Sequence, residues 1–329
     1  MVLDGFKGRV EHNYPLKNLT TWKIGGPAEY VCWPESAEEL VAAVREALSQ
    51  GQDFRIIGRG SNLLAPDRGL AGITVVTTEL RRILWGEHSV WVEAGYSLAK
   101  LAREAGERGW SGLEFAGGIP GTVGGAVVMN AGAYGEDMAG GIKNVKVWCD
   151  GEVRLLNRER LKFGYRTSSF QDESVCGVEA ALSVDPPTAP EPAAGPPGKG
   201  GKLSLRPLVL AAELSFGPGE RERILARMSE GLRKRAAAQP LAEANAGSVF
   251  RNPPGDYAAR LIEQSGWKGK RCGGAKVSEK HSNFIVNTGE ATATDVLCLI
   301  EDIRADVWQK FGIRLETEVR YLGAEGGRR

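Results

Sequence analysis

Five glycines crowd into nine residues at 117–125, where Gly117, Gly118, Gly121, Gly124 and Gly125 surround Ile119, Pro120, Thr122 and Val123. Glycines this dense leave backbone N–H groups unshielded by side chains and open φ > 0 to the chain. Pro120 stiffens one point of the loop. A stiff loop of exposed amides is an anion-binding concavity, suited to a pyrophosphate. The competing reading is a plain glycine-rich turn between two elements. A second short loop shifts the balance: Gly58, Arg59, Gly60, Ser61 and Asn62 directly follow the apolar run of Phe54, Ile56 and Ile57. That loop sits at a strand end, where nucleotide loops commonly sit. Two such loops point to one dinucleotide gripped at two places. No GxGxxG is present, because Leu63 stands where the third glycine belongs, so a Rossmann site for nicotinamide is not supported.

A chain of 329 residues has room for two or three domains and a substantial core. Its net charge of +1 gives no electrostatic case for nucleic acid or a membrane surface. The N-terminal residues do not read as a signal peptide, and no run approaches the roughly 18 apolar residues of a membrane helix. The five cysteines, Cys32, Cys149, Cys176, Cys272 and Cys298, are scattered and form no CxxC pair. That pattern predicts a reducing compartment, the cytoplasm, with no disulfide framework and no structural zinc. His12, His88 and His281 lie far apart, which argues against a metal site.

Ser36 to Glu39 reads as a capping box, and Leu40, Val41, Val44 and Leu48 then share one helical face ended by Gly51. Residues 89–94 alternate like a strand, and Ser97 can cap a helix through Leu98, Leu101 and Ala105. Residues 177–184 and 203–216 read as two strands. The Pro/Gly-rich stretch between them, 185–202, is too poor in apolar residues to fold and is expected to be a mobile excursion. A charged helix carrying Ile224, Leu225, Met228 and Leu232 on one face is closed by Pro240, which marks a domain boundary. The remainder predicts a helix capped near Asp256, a strand at 282–287, a long helix through Val296, Ile300, Ile303, Val307 and Phe311 stopped by Gly312, and a last strand at 314–322.

Three segments could carry chemistry. In the first, Ser248 follows the small pair Ala246 and Gly247, with Arg251 and Asn252 just beyond. Local chemistry alone favours a serine that bonds its own backbone, and a serine nucleophile would also need a histidine base. In the second, Arg166 lies among Phe163, Tyr165 and Phe170, where it can fork onto a carboxylate or simply stack on Tyr165. In the third, period-two alternation puts Glu316, Glu318 and Arg320 on one face of the last strand. Two carboxylates on one face invite acid/base chemistry, a solvated sheet face is the alternative, and pattern does not choose between the glutamates.

Taken together these segments resemble the UDP-N-acetylenolpyruvoylglucosamine reductases, flavoproteins of bacterial wall synthesis. The resemblance runs from Asn18 to Gly323 and rests on the loop at 58–64, the stretch 118–124, Tyr165 and Arg166 with Ser169 and Phe170, the stretch 246–253, and residues 273–287. It implies an α+β fold: a two-lobed FAD-binding domain of the vanillyl-alcohol-oxidase type (1–85 and 86–238) and a C-terminal α/β substrate-binding domain (239–329). It implies NADPH as co-substrate in a ping-pong reduction of an enolpyruvyl UDP-sugar to UDP-N-acetylmuramate. The alternative is an FAD oxidase or dehydrogenase of the same fold acting on another substrate.

By motif match, Ser248 donates a proton, Arg166 holds the substrate carboxylate and Glu318 is the catalytic carboxylate. Tyr165 and Asn252 contact substrate. Gly58, Arg59, Gly60, Ser61 and Asn62, with Gly118, Ile119, Pro120, Gly121 and Gly124, hold FAD. Because the first loop carries Arg59 and no histidine, the flavin is expected to be noncovalent. Between Ser248 and the terminal region the chain is short, like the class lacking a tyrosine-bearing substrate loop. A lysine that some relatives carry before the Gln-Pro pair is here Ala238, leaving Lys234 or Arg235 for the diphosphate. Small-molecule partners and a monomer complete the expectation.

Overall fold

The computed structural model of the protein describes residues 6–171 and 206–322. Their architecture is the α+β arrangement expected. β1 (Arg9–Pro15), β2 (Pro27–Trp33), α1 (Ala37–Ser49), β3 (Phe54–Ile57), β4 (Leu63–Leu64) and β5 (Leu70–Val76) come first. Four of these strands form a sheet in the order β1-β2-β5-β3, antiparallel at β1 and parallel elsewhere. α1 presses Leu40, Val41, Val44 and Ala47 onto Ile73 and Val75 of β5. Its capping box is only half formed. The Ser36 hydroxyl accepts from the Glu39 amide at 3.2 Å, but the Glu39 carboxylate accepts from the Lys7 and Glu35 amides, 2.9 Å each.

The second sheet draws on β6 (Ile83–Trp85), β7 (Ser89–Glu93), then, after α2 (Leu98–Glu107) and α3 (Val123–Met129), β8 (Ile142–Cys149), β9 (Glu152–Asn157) and β10 (Leu208–Ser215). Its order is β9-β8-β10-β7-β6, antiparallel throughout. Ser97 caps α2 as predicted, and Thr122 caps α3, its hydroxyl accepting from the Gly125 amide at 3.3 Å. The Pro/Gly-rich stretch at 185–202, the strand expected at 177–184 and Cys176 lie outside the described residues. Of the strand expected at 203–216, the described part is β10. α4 (Arg221–Ala238) buries Ile224 and Met228, whereas Leu232 is 44% exposed, so the apolar face is narrower than its sequence promised.

The C-terminal domain contains α5 (Ala258–Gln264), the antiparallel sheet β11 (Arg271–Cys272), β12 (Ala275–Val277) and β13 (Ile285–Asn287), α6 (Ala293–Phe311) and β14 (Arg320–Tyr321). α6 turns Val296, Ile300, Ile303 and Val307 inward and ends at Gly312, whose φ of +67° is the left-handed cap. Three expectations need correction. The first amide of α5, that of Ala258, is capped by Asn252 Oδ1 at 3.1 Å, while Asp256 is occupied with Arg260 and the Tyr257 amide. The strand at 282–287 is confined to β13, because Ser282 and Asn283 turn and spend their side chains on the backbone of Ala259 and Phe250.

The strand at 314–322 shrinks to β14 because its backbone changes partner midway. Glu316 O accepts from the Arg251 amide and Glu318 N donates to Val249 O, at 2.9 and 2.8 Å. Arg320 and Leu322 then donate to Asn62 O and Leu64 O, both at 2.9 Å. This change of partner brings the Ser248 segment, the Glu318 segment and the first glycine loop together. Further ties join the first sheet's connections to the C-terminal domain. Trp22 Nε1 donates to Ile285 O at 2.8 Å, and the Asp67 carboxylate caps α6 by accepting from the Ala293 and Thr294 amides at 2.6 and 3.0 Å.

Candidate active site

The two glycine loops lie against each other. A Cβ added to Gly58 would stand 2.4 Å from Thr122 Oγ1, so only glycine lets the loops approach. On Gly121 a Cβ would meet Ser61 Oγ at 3.7 Å, leaving a small open space there. Gly60, at φ +63°, packs against Leu19 O, where a Cβ would come within 1.9 Å. The amides of Arg59, Gly60, Ser61, Asn62, Gly121 and Thr122 find no acceptor among the described residues. Six unspent N–H groups around a cradle that side chains would fill suit the pyrophosphate of a dinucleotide.

Not every residue expected at the cofactor has the same function. Gly124 donates its amide to Ala94 O at 2.8 Å, and a Cβ there would stand 2.7 Å from Ala94 Cβ, so this glycine lets α3 approach the end of β7. Ile119 closes a turn on Ala116, and Pro120 is exposed. Arg59 Nη1 donates to Ser97 Oγ at 3.3 Å, and Asn62 Nδ2 donates to Glu318 O at 3.1 Å. Asn62 thereby links the first loop to the terminal segment carrying the candidate carboxylate.

Arg166 and Glu318, 152 residues apart, form an ion pair: Arg166 Nε donates to Glu318 Oε1 at 2.8 Å. Their side chains are 22% and 16% exposed, whereas that of Glu316 is 77% exposed, which separates the two glutamates that pattern could not. Burial pushes the Glu318 carboxyl above the ordinary glutamate range, and the Arg166 guanidinium pulls it back. Arg166 occupies the second position of the two-residue loop joining the paired residues Gly164 and Thr167, with φ +56°. For a residue with a Cβ that conformation costs about 1–2 kcal/mol. Tyr165, 55% exposed, lies under the guanidinium at 5.3 Å.

Ser248 follows Gly247, which has φ +78°, and precedes Val249, whose carbonyl receives the Glu318 amide. Its hydroxyl is half-buried and makes no hydrogen bond among the described residues. The structure thus joins Arg166 to Glu318 and sets Ser248 one residue from Glu318's backbone partner. Asn252 is exposed and caps α5.

Sequence reasoning passed over Gln171, and it noted Arg251 and Arg320 without giving either a function. Arg251 Nη2 donates to Arg166 O at 3.4 Å, and its buried Nε has no partner. Arg320 is disfavoured as a cation by burial and by the nearby Arg251 and Arg206, and it donates to Gln171 Oε1. Arg235 lies over the second loop, its Cδ 3.1 Å from the place a Gly118 Cβ would take. Its buried Nε also has no partner, and burial disfavours its charge. Lys234, by contrast, is 65% exposed and paired with Glu230 at 2.7 Å.

Among the described residues no helix is long and apolar enough to cross a membrane. Residues 28–154 match the FAD binding domain family, and residues 239–322 match the C-terminal domain of UDP-N-acetylenolpyruvoylglucosamine reductase. The chain is 42% identical to UDP-N-acetylenolpyruvoylglucosamine reductase 2 of Symbiobacterium thermophilum, with 96% of this chain and 93% of that one covered. It is 40% identical to the reductase of that name from Carboxydothermus hydrogenoformans, over 95% of this chain and 94% of that one. The crystal structure of the reductase from Thermus caldophilus superposes with a TM-score of 0.74 at 36% identity, covering 95% of this chain and 99% of that one.

Proposed function

The chain belongs to the UDP-N-acetylenolpyruvoylglucosamine reductase family, and we propose that the Arg166–Glu318 pair, Ser248 and the two glycine loops form one cleft taking NADPH and the enolpyruvyl sugar nucleotide in turn. The enzyme is an FAD-dependent oxidoreductase of peptidoglycan precursor synthesis. FAD, when bound, supplies the hydride added to the vinyl CH2 carbon. The free amides of Arg59 to Asn62, Gly121 and Thr122 would hold its pyrophosphate, with Gly58 letting the two loops approach and Gly118 making room for Arg235 beside them. No histidine stands in the first loop, so binding is noncovalent.

The observation that carries the reading is how Arg166 is used. Glu318 occupies only Nε, and the two terminal nitrogens bond no other side chain among the described residues. They are left to fork onto the substrate carboxylate. As hydride arrives, negative charge spreads from the neighbouring carbon onto that carboxylate, and the guanidinium stabilises it. The Ser248 hydroxyl, bonded to nothing else, delivers the proton to that carbon. A serine hydroxyl is a weak acid, but an enolate carbon is a strong base. Glu318 keeps Arg166 oriented; its raised proton affinity lets it accept a proton when a second carboxylate meets the same guanidinium.

Tyr165 lines the cleft beside Arg166. Asn252 reaches substrate only through whatever its cap on α5 leaves free. Arg235 is better suited than Lys234 to the nucleotide diphosphate, because its guanidinium is unpaired and faces the loop while Lys234 is committed to Glu230. The domain division is 1–85, 86–238 and 239–329, with β6 of the first interval pairing in the sheet of the second. The reading extends to a cytoplasmic monomer that acts on small molecules.

Steady-state rates with both substrates varied should give parallel double-reciprocal lines, because the first product must leave before the second substrate binds. Intersecting lines would mean that both substrates are held at once, which one shared cleft does not permit.

A further inference from the structure

Gln171 makes contacts that the proposed chemistry does not use. Its Nε2 donates to Val128 O at 2.9 Å and to Arg166 O at 3.2 Å, while its Oε1 accepts from Arg320 Nη2. The orientation of this amide is dictated chemically. Two carbonyls on one side require the NH2 group, and a guanidinium on the other requires the oxygen. Three segments meet at this one side chain. Val128 is in α3, the helix that leaves the second glycine loop; Arg166 is the candidate carboxylate clamp; Arg320 is two residues beyond Glu318.

Arg166 needs such a hold. It is a residue with a Cβ at φ +56°, a conformation that relaxes unless its surroundings enforce it. The peptide that enforces it is the one ending in Arg166 O, whose donors are Gln171 Nε2 at 3.2 Å and Arg251 Nη2 at 3.4 Å. Gln171 gives the shorter bond and is itself anchored at both ends. Ser168 Oγ also donates to Val128 O, at 2.6 Å, so the loop is braced twice against α3.

We infer that Gln171 is a positioning residue for the enol-ether half of the reaction: it holds the Arg166 loop in its left-handed turn and ties it to the terminal segment that carries Glu318. It touches neither substrate nor cofactor. The inference rests on Arg166 as the carboxylate clamp and adds the device that aims it.

Three variants separate its parts. Gln171→Met keeps the size and loses every polar contact. Gln171→Glu keeps the acceptor for Arg320 and loses both donors while ionised. Arg166→Gln is the reference for the clamp itself. Three readouts are followed on the FAD-loaded protein: calorimetric affinity for UDP-N-acetylmuramate, the anaerobic rate of flavin bleaching by NADPH, and the rate of colour return with the enolpyruvyl sugar nucleotide. Both Gln171 variants should bind product at least 10-fold more weakly and return colour about 10- to 50-fold more slowly. Bleaching should stay within about 3-fold, because the Arg166 clamp that Gln171 aims serves the enol-ether half only.

The deficit of Gln171→Glu relative to wild type should narrow as the pH falls toward about 5, because a protonated carboxyl regains one donor. Gln171→Met should show no such recovery, a difference that a merely structural role would not produce. If product affinity and colour return are unchanged in both variants while Arg166→Gln is impaired, the inference fails and the clamp stands. If both rates and flavin retention fall together without pH recovery, Gln171 serves only the fold. If Arg166→Gln itself is unimpaired, the clamp and this inference fall together.

Discussion

Replacing Ser248 by alanine should slow proton delivery to the enolpyruvyl sugar nucleotide by roughly 10²- to 10⁴-fold, the usual contribution of a positioned proton donor. Bleaching of the flavin by NADPH should be almost unaffected, because hydride loss from a nicotinamide needs no proton from this side chain. The structure makes the separation clean. The hydroxyl is half-buried and bonded to no other group among the described residues, so its removal breaks no internal contact. Gly247 at φ +78° and the Val249–Glu318 backbone bond, which set the position of residue 248, do not depend on its side chain. Stopped-flow measurement of each half-reaction in Ser248→Ala checks this. An equal loss in both halves would remove Ser248 from the proton-donor role.

Arg166→Gln should have an effect of similar size but a different pattern. A guanidinium that grips a carboxylate contributes to ground-state affinity, with charged hydrogen bonds worth about 1.5–3 kcal/mol. It contributes further as charge grows on that carboxylate, where loss of one preorganised donor commonly costs about 10²–10³ in rate. Both KM for the enol ether and kcat should therefore worsen. A second consequence follows from the ion pair. Glu318 would keep its burial but lose the cation that opposes it, so its carboxyl should move further above the usual glutamate range. The sign is definite. A carboxyl with a raised folded-state pKa favours the fold while it is protonated, and that contribution is lost as pH rises through the folded value. Relative to wild type, the variant should thus be least stable on the alkaline side of that titration, as urea midpoints across pH would show. A variant with unchanged KM for the enol ether would contradict the clamp.

Much of the site was written locally. The two glycine loops announced themselves because close approach and free amides demand a run of residues without Cβ. The loops indeed meet through Gly58 and Thr122. The helices were equally plain, since α2 and α6 carry both their caps and their apolar stripes in sequence. What sequence could not supply were pairings across long separations. Period-two alternation kept Glu316 and Glu318 equivalent, and only the contact with Arg166, 152 residues away, separates the half-buried Glu318 from the exposed Glu316. Sequence could not choose between Lys234 and Arg235 for the diphosphate, because the burial of Arg235 Nε depends on what folds over it.

One signal was present and went unread. Gly164, Tyr165, Arg166 and Thr167 form a hairpin with a two-residue loop whose second position takes φ > 0, where glycine or asparagine would be comfortable. An arginine there breaks a local rule, and such breaches gather at functional sites. Reading it that way would have led from Arg166 to the side chains that must hold its backbone, Gln171 and Arg251.

The central claim is that one cleft lets a nicotinamide donor reduce the flavin and then lets the enolpyruvyl sugar nucleotide reoxidise it beside Arg166, Glu318 and Ser248. An anaerobic absorbance record of the yellow holoenzyme tests it most directly. Stoichiometric NADPH should bleach the colour fully, and one equivalent of the sugar nucleotide should then restore it with formation of UDP-N-acetylmuramate. Colour that does not bleach with NADPH, or that returns only when air is admitted, would contradict the account.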